Sequence, residues 1–367
     1  MRLLRRVFLP LVPPAIAVAV SIGLLALGLA LAKYPALSLL REWFVAAVGD
    51  RFNIEVAIKN SCPLLLTGLA AGVAFRAGVL NIGAEGQSIL GAIAAAAVAT
   101  RLLPGLHPSG AAISTALAAA VVAGALFAGI AAGLELLRGV PVVLSTILLN
   151  FVALQLLGVL LEGPLKTHLT QAVQSDPMPG AFWLPLIGGS LVVHAGVLIA
   201  AAAAVLAWGM QSRTTLGFEL LVTGLNPAAA RYAGIPTASR QGLVLLFSGG
   251  FAGLSGAIQT LGVGGHVLTP TPESYGYTGI AVALLGRLHP VGIAAAALFF
   301  ALLDQGAATL ETSATPLPHE TADILKGLIT LALLTSASLL ANRRVIASQT
   351  AMEGTTKAGS AAEGRAV

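Results

Sequence analysis

The sequence predicts an all-α fold, a polytopic transmembrane helical bundle of about ten spans with short or broken helices. Three observations carry this reading. Hydrophobic residues make up 57% of the 367-residue chain, charged residues only 10%, and mean hydropathy is +0.91, whereas a soluble domain carries about 25% charged residues. Residues 7–32 contain no charge, and about 20 apolar residues suffice to cross the hydrocarbon core. Third, Gly78-Val79-Leu80-Asn81-Ile82-Gly83-Ala84-Glu85-Gly86-Gln87 opens a hydrophobic segment that continues to Thr100. A carboxylate at that depth costs roughly 2.5–3.5 kcal/mol on insertion scales. It is kept only where it faces protein interior, water or the interface.

Taken in order, Arg2, Arg5 and Arg6 precede the first apolar run, and Ala30-Leu31-Ala32 resembles a cleavage site. The run is much longer than the ~7–15 residues of a signal-peptide core, so it reads as an uncleaved first helix with a cytoplasmic N-terminus. Pro13 and Pro14 bend its first turns or hold them at the interface. Residues 34–55, with Trp43, Arg41, Glu42, Asp50 and Arg51, read as an interfacial helix on the outer face. Further spans fall at 56–75, 78–99, 110–134, 139–161, 184–210, 242–265, 275–285, 290–303 and 324–340. The segments at 275–285 and 290–303 are short, as discontinuous helices lining a pathway often are. The coarse division is 1–55 for the first helix and interfacial segment, 56–345 for the core, and 346–367 for a disordered cytoplasmic tail.

The positive-inside rule orients the bundle. Arg2, Arg5, Arg6, Arg76, Arg138, Arg213, Arg231, Arg240, Arg287, Arg343 and Arg344 fall inside, eleven in number. Six fall outside: Lys33, Arg41, Arg51, Lys59, Arg101 and Lys166. Both termini are therefore expected in the cytoplasm. The net charge of +5 forms no aromatic-interleaved basic patch, so no nucleic-acid partner is expected. Single Cys62 excludes an internal disulfide and a cysteine-rich metal site. Asp304, Glu311, His319, Glu320 and Asp323 lack metal-ligand spacing and read as solvated or docking groups near the outer face.

The longest cytoplasmic connection is residues 211–241. Within it Asn226 suits a helix N-cap and Pro227 the first helical position. Residues 228–233 favour a short helix, Gly234 ends it at the C′ position, and Ile235-Pro236 enforces an extended exit. Ala228, Ala229 and Tyr232 are then available for docking. An ordinary surface loop is the competing reading, but a helix this short is marginal in water unless something holds it.

Two blocks carry a family resemblance. One is Phe75-Arg76-Ala77 continuing through Gln87. The other is Thr215-Leu216-Gly217-Phe218, then Gly224-Leu225-Asn226-Pro227-Ala228-Ala229-Ala230-Arg231-Tyr232-Ala233-Gly234-Ile235. The chain resembles the permease subunit of a bacterial ABC importer of the branched-chain amino acid and simple-sugar permease superfamily, and within it the nucleoside and simple-sugar permeases. The likeness covers roughly residues 61–340. It implies a type II ABC importer-like bundle in the bacterial inner membrane. The 209–241 loop then couples to the ATPase through Gly217, Asn226, Ala228, Ala229, Tyr232 and Gly234. The implied partners are an ABC ATPase that uses ATP and Mg, a homologous second permease, a substrate-binding lipoprotein and membrane lipid, with no cofactor in this chain. Phe218-Glu219 stands where relatives often carry a basic residue, and Lys326 where they often carry a neutral polar one. These departures bear on substrate identity and local packing.

Asn81, Glu85, Gln87, Asn150 and Gln155 are the candidate pathway residues. Glu85 is either a pathway group or an inward-facing packing group beside Gly83 and Gly86, and packing is the stronger reading. Asn150 and Gln155 lie about 140° apart around one helix. A helix–helix hydrogen bond explains either of them more simply than contact with a polyhydroxylated solute. Ser145 and Thr146 bond their own helix backbone.

No catalytic residue is assigned. Gly253-Leu254-Ser255-Gly256 matches an intramembrane serine-protease pattern, but no histidine is expected near the serine, and Gly249-x-x-x-Gly253 reads more simply as a close helix contact. An ion-coupled secondary transporter would need a charged site near the midplane, whereas Glu85 lies close to a span end. No G-x-x-x-x-G-K-[ST] stretch occurs, so ATP hydrolysis must reside in another chain.

Overall fold

The computed structural model describes residues 12–107, 109–167, 169–189, 191–269, 274–311 and 320–332. Arg2, Arg5, Arg6, His319 and the 346–367 tail lie outside the described residues. Contacts divide the chain into two units, Met1–Ala36 with Ile324–Val367, and Leu37–Asp323. In the first unit, α1 (Val12–Leu31) is a single apolar helix.

The second unit holds the core. Its elements are α2 (Ala36–Val48), α3 (Arg51–Arg76), α4 (Ala84–Ala97), α5 (Ser109–Arg138) and α6 (Val142–Glu162), then β1 (Leu186–Ile187), β2 (Val193–His194) and α7 (Gly196–Arg213). There follow α8 (Thr215–Leu225), α9 (Pro227–Tyr232), α10 (Thr237–Ile258), α11 (Tyr275–Leu285) and α12 (Pro290–Glu311). A last helix, α13, covers 320–332 and crosses the boundary between the units. Two helices end in π-turns, α4 at Val98–Leu102 and α10 at Gln259–Gly264.

Every expected span contains a helix, and among the described residues six helices are long and apolar enough to cross a membrane. The sequence boundaries need three corrections. The 78–99 segment becomes helical only at Ala84, because residues 78–83 form a hydrogen-bonded turn and extended entry. The 184–210 segment starts with the β1–β2 hairpin and becomes helical at Gly196. The 290–303 segment is not short: α12 continues through Asp304 and Gln305 to Glu311, and Gln305 Nε2 donates to Asn53 Oδ1 at 3.0 Å.

Residues 34–55 also divide. Residues 36–48 form α2, which buries Leu39, Trp43 and Ala47, while Arg51–Glu55 is the first part of α3. Trp43 Nε1 donates to the Leu303 carbonyl at 2.9 Å, so α2 packs with the core.

Helices α3 and α10 are the centre of the second unit. The apolar windows of both are mostly buried, 67% and 61%, so lipid touches little of either. Helices α10, α11 and α12 pack on α3, and α4 and α5 pack on α10. Small residues permit this. A Cβ at Gly91 would lie 2.1 Å from the Gly253 carbonyl oxygen, and one at Gly124 would lie 2.3 Å from that of Gly249. The Gly249–Gly253 pair is thus a backbone-to-backbone helix contact. Ser255 is fully buried and its hydroxyl donates to the Pro63 carbonyl at 3.0 Å.

Helix α3 is about 39 Å long and fixes the two ends of this unit. It starts beside β2 and finishes beneath α8. At the starting end the described residues of the 163–195 connection form a cap. Bridges pair Lys166 with Ser175 and Gln174 with Leu268, and Arg101 Nη1 donates to Asp176 Oδ2 at 2.6 Å.

Within the cap His194 is fully buried. Burial first, and the nearby Lys59 charge second, push its pKa from 6.5 down to about 4. The folded protein therefore keeps a neutral imidazole where the unfolded chain protonates. The resulting stabilisation is complete above pH 6.5 and is lost as pH falls through 4. The thermal midpoint in detergent is expected to fall with acidification across that window, and to fall less in a His194→Gln variant. Equal slopes for the two proteins would remove His194 from the acid response.

Candidate functional site

Two features meet at the far end of α3: a buried polar knot and an exposed tip. The knot begins where α3 stops. Gly78 N donates to the Phe75 carbonyl and Val79 N to the Ala74 carbonyl, both at 3.0 Å, with Gly78 at φ +75°. This is a Schellman ending with a left-handed C′ glycine. It sends the chain back toward the bundle interior.

Asn81 is fully buried there. Its Nδ2 donates to Gln87 Oε1 at 3.0 Å and to Ser248 Oγ at 2.8 Å. Its Oδ1 accepts from Gly83 N at 2.8 Å and from Gln87 Nε2 at 3.2 Å. Ser248 passes the connection on, its hydroxyl donating to the Ala70 carbonyl at 2.7 Å. One side chain thus ties the entry to α4 to both central helices.

Asn150 makes a second tie, from α6. Its Oδ1 accepts from Gly86 N at 2.9 Å, and its Nδ2 donates to the Ile82 carbonyl at 2.9 Å and to Tyr277 Oη at 3.1 Å. Glu85 makes the third. It sits in the first turn of α4, and its Oε2 accepts from Gly276 N at 2.8 Å. Gly276 lies in the first turn of α11, so the N-termini of two helices converge on one carboxylate. That placement is favourable for negative charge. A Cβ on Gly276 would lie 2.2 Å from Glu85 N, so only glycine lets α11 approach this closely.

Of the five pathway candidates, Asn81, Glu85, Gln87 and Asn150 are brought together, and their bonds hold backbone and one another. Gln155 is exposed on α6, apart from the others. Ser248, Gly276 and Tyr277 belong to the knot and were missed from the sequence. No spacing rule connects residues almost 200 positions away, although Ser248 beside Gly249 and Gly250 marked a polar group at a close helix contact.

The tip comprises α8 and α9. Thr214 Oγ1 caps α8, accepting from Gly217 N at 3.1 Å, and a Cβ at Gly217 would lie 2.1 Å from the Met210 carbonyl oxygen. Asn226 caps α9, its Oδ1 accepting from Ala229 N at 3.0 Å, with Pro227 in the first turn. Gly234 N donates to the Arg231 carbonyl and Ile235 N to the Ala230 carbonyl, both at 3.0 Å, with Gly234 at φ +79°. These two bonds form a second Schellman ending. Ala230 is buried beneath the helix, while Ala228, Ala229 and Tyr232 are exposed, Tyr232 at 96%. Glu219 of α8 pairs with Arg240 of α10.

The tip rests on the knot. A Cβ at Gly224 would lie 2.4 Å from the Arg76 carbonyl oxygen, and one at Gly78 would lie 3.0 Å from Gly224 Cα. Arg76 Nη1 donates to Gln211 Oε1 at 3.1 Å. Displacing α8 therefore presses directly on the chain that enters the Asn81 network.

A family model described as the permease component of the branched-chain amino acid transport system matches residues 53–334. The glucose ABC transporter permease protein TsgB13 of Haloferax volcanii is 35% identical over 303 residues, covering 80% of this chain and 79% of its own. The guanosine ABC transporter permease protein NupP of Bacillus subtilis is 31% identical over 332 residues, covering 90% and 94%. The nucleoside ABC transporter permease protein NupB of Lactococcus lactis is 29% identical over 284 residues, covering 75% and 78%.

Proposed function

The chain belongs to the family of branched-chain amino acid transport system permease components and is a membrane-spanning permease subunit of an ABC transporter, and on that premise we propose that it imports a nucleoside or simple sugar into the cytoplasm. Substrate-binding lipoprotein delivers the solute at the cap end. A separate ATPase, which uses ATP and Mg, docks on the exposed face of α9. A homologous second permease completes the pore, and both termini lie in the cytoplasm of a cell whose inner membrane holds the complex.

The observation that carries this reading is α9 itself. It is six residues long, too short to persist alone in water, yet it is capped at both ends and presents Ala228, Ala229 and Tyr232 outward. A rigid apolar knob suits a protein socket. Nucleotide-driven movement of that knob reaches the Asn81 network through the Gly224–Gly78 contact. It biases a bundle with two packings. The chain itself is not a chemical catalyst.

Reconstitution tests this. In liposomes the isolated chain is expected neither to hydrolyse ATP nor to accumulate solute. Co-reconstituted with ATPase, second permease and lipoprotein, it is expected to accumulate solute only with ATP. Accumulation by the isolated chain on a proton or sodium gradient would favour ion-coupled secondary transport instead.

A further inference from the structure

A partly open cavity of about 90 Å³ lies between α4, the π-turn of α10 and the start of α11. Its polar lining is Glu85, Ser88, Gln259, Thr260, His266 and Tyr275. Glu85 and Ser88 stand one turn apart on α4. Gln259 and Thr260 come from the π-turn, a departure from α-geometry that is frequent at functional sites.

Two polar atoms here have no partner among the described residues. Gln259 Oε1 and Tyr275 Oη are both buried and make no hydrogen bond, and Tyr275 is only 7% exposed. Buried polar atoms are almost always paired, and an unpaired one calls for an occupant. Glu85 Oε2 accepts from Gly276 N, and a carboxylate has about four acceptor sites, so acceptor capacity remains.

We propose that this cavity is a solute subsite that holds the vicinal diol of a sugar ring. The inference rests on the permease reading above and names the part of the solute that is recognised. The lining offers the phenol of Tyr275 as a donor and Glu85 and Gln259 Oε1 as acceptors. Two adjacent hydroxyls donate to those acceptors while one accepts from the phenol. A partly open space of about 90 Å³ suits one hydroxyl edge of a solute. A ribose and a pyranose both present such an edge, so one subsite serves either solute. An anionic solute would face the Glu85 carboxylate.

The test uses the assembled complex with its lipoprotein in liposomes. Uptake rates are compared for guanosine against 2′-deoxyguanosine, and for glucose against 2-deoxyglucose. The same lipoprotein serves every permease variant, so its own preference cancels when ratios are compared. Wild type is expected to favour the diol. Tyr275→Phe should reduce that preference by roughly threefold to tenfold, the worth of one neutral hydrogen bond, without lowering the thermal midpoint, because the hydroxyl has no protein partner to lose. Gln259→Met should act in the same direction and covers the case in which the tyrosine variant fails to assemble. Unchanged ratios in both variants, or a wild type indifferent to the diol, would overturn the subsite while leaving the permease reading intact. A complete complex that moves neither solute pair would overturn both.

Discussion

Asn81→Leu should lower the thermal midpoint of the detergent-solubilised protein by roughly 5–10 °C, the largest loss expected from a single side chain of similar size. Leucine fills the space but offers no polar atom. Gln87 then loses both of its bonds to residue 81, Ser248 Oγ loses a donor and Gly83 N loses its acceptor. Each buried group left unpaired costs about 1–3 kcal/mol, and the protein around them offers no water-exposed alternative. Measured values for single hydrogen bonds in membranes are smaller, averaging about 0.6 kcal/mol, because the unfolded state also finds partners. Here several bonds fail together at one crossing of three helices, so the loss exceeds that average. Gln155→Leu is the matched control. Gln155 is exposed on α6, and its replacement should shift the midpoint by about 1 °C or less. Differential scanning fluorimetry of the two variants beside the unmodified chain reads the difference directly. Equal shifts would mean that the Asn81 network does not hold the bundle.

The features legible from the sequence were those written in local chemistry. Asn226, Pro227 and Gly234 each sit where cap physics placed them, because N-cap, first-turn proline and C′ glycine act within a few residues. The composition and the apolar runs placed a helix in each expected span. What hydropathy could not resolve was where a helix begins within an apolar run. Residues 78–83 and 184–195 are as apolar as a helix, yet the first is a turn and extended entry and the second forms part of the cap. Helix α12 runs past residue 303, where Gln305 reaches a half-buried asparagine partner that only the fold supplies. The pathway residues show the same limit. Asn81 and Gln87 are close in the chain and could be paired by eye. Their link to Ser248, and that of Glu85 to Gly276, required the packing of α4 against α10 and α11.

Ala229→Glu and Gly234→Val should separate transport from ATP hydrolysis while leaving the bundle folded. Ala229 is exposed on α9, so a glutamate there disturbs nothing inside the subunit but sets a charge on the face that must enter the ATPase socket. Gly234 has open space around a built Cβ, and its constraint is the backbone at φ +79°. Valine is a poor occupant of that region, with a strain of order 1–3 kcal/mol. It is expected to unwind the Schellman ending and loosen the knob. Both changes act at an exposed tip, seated on the bundle by the Gly224–Gly78 and Gly217–Met210 contacts and the Glu219–Arg240 pair, so the effects stay local. The decisive measurement is solute-stimulated ATPase activity of the assembled complex, taken with the thermal midpoint of the permease on the same preparations. A loss of about 1.4 kcal/mol or more of docking energy corresponds to a tenfold or greater fall in engagement, and the expected result is a fall of that order at an unchanged midpoint. If both variants assemble and stimulate ATP hydrolysis like the unmodified chain, α9 is an ordinary surface helix and the coupling element lies elsewhere.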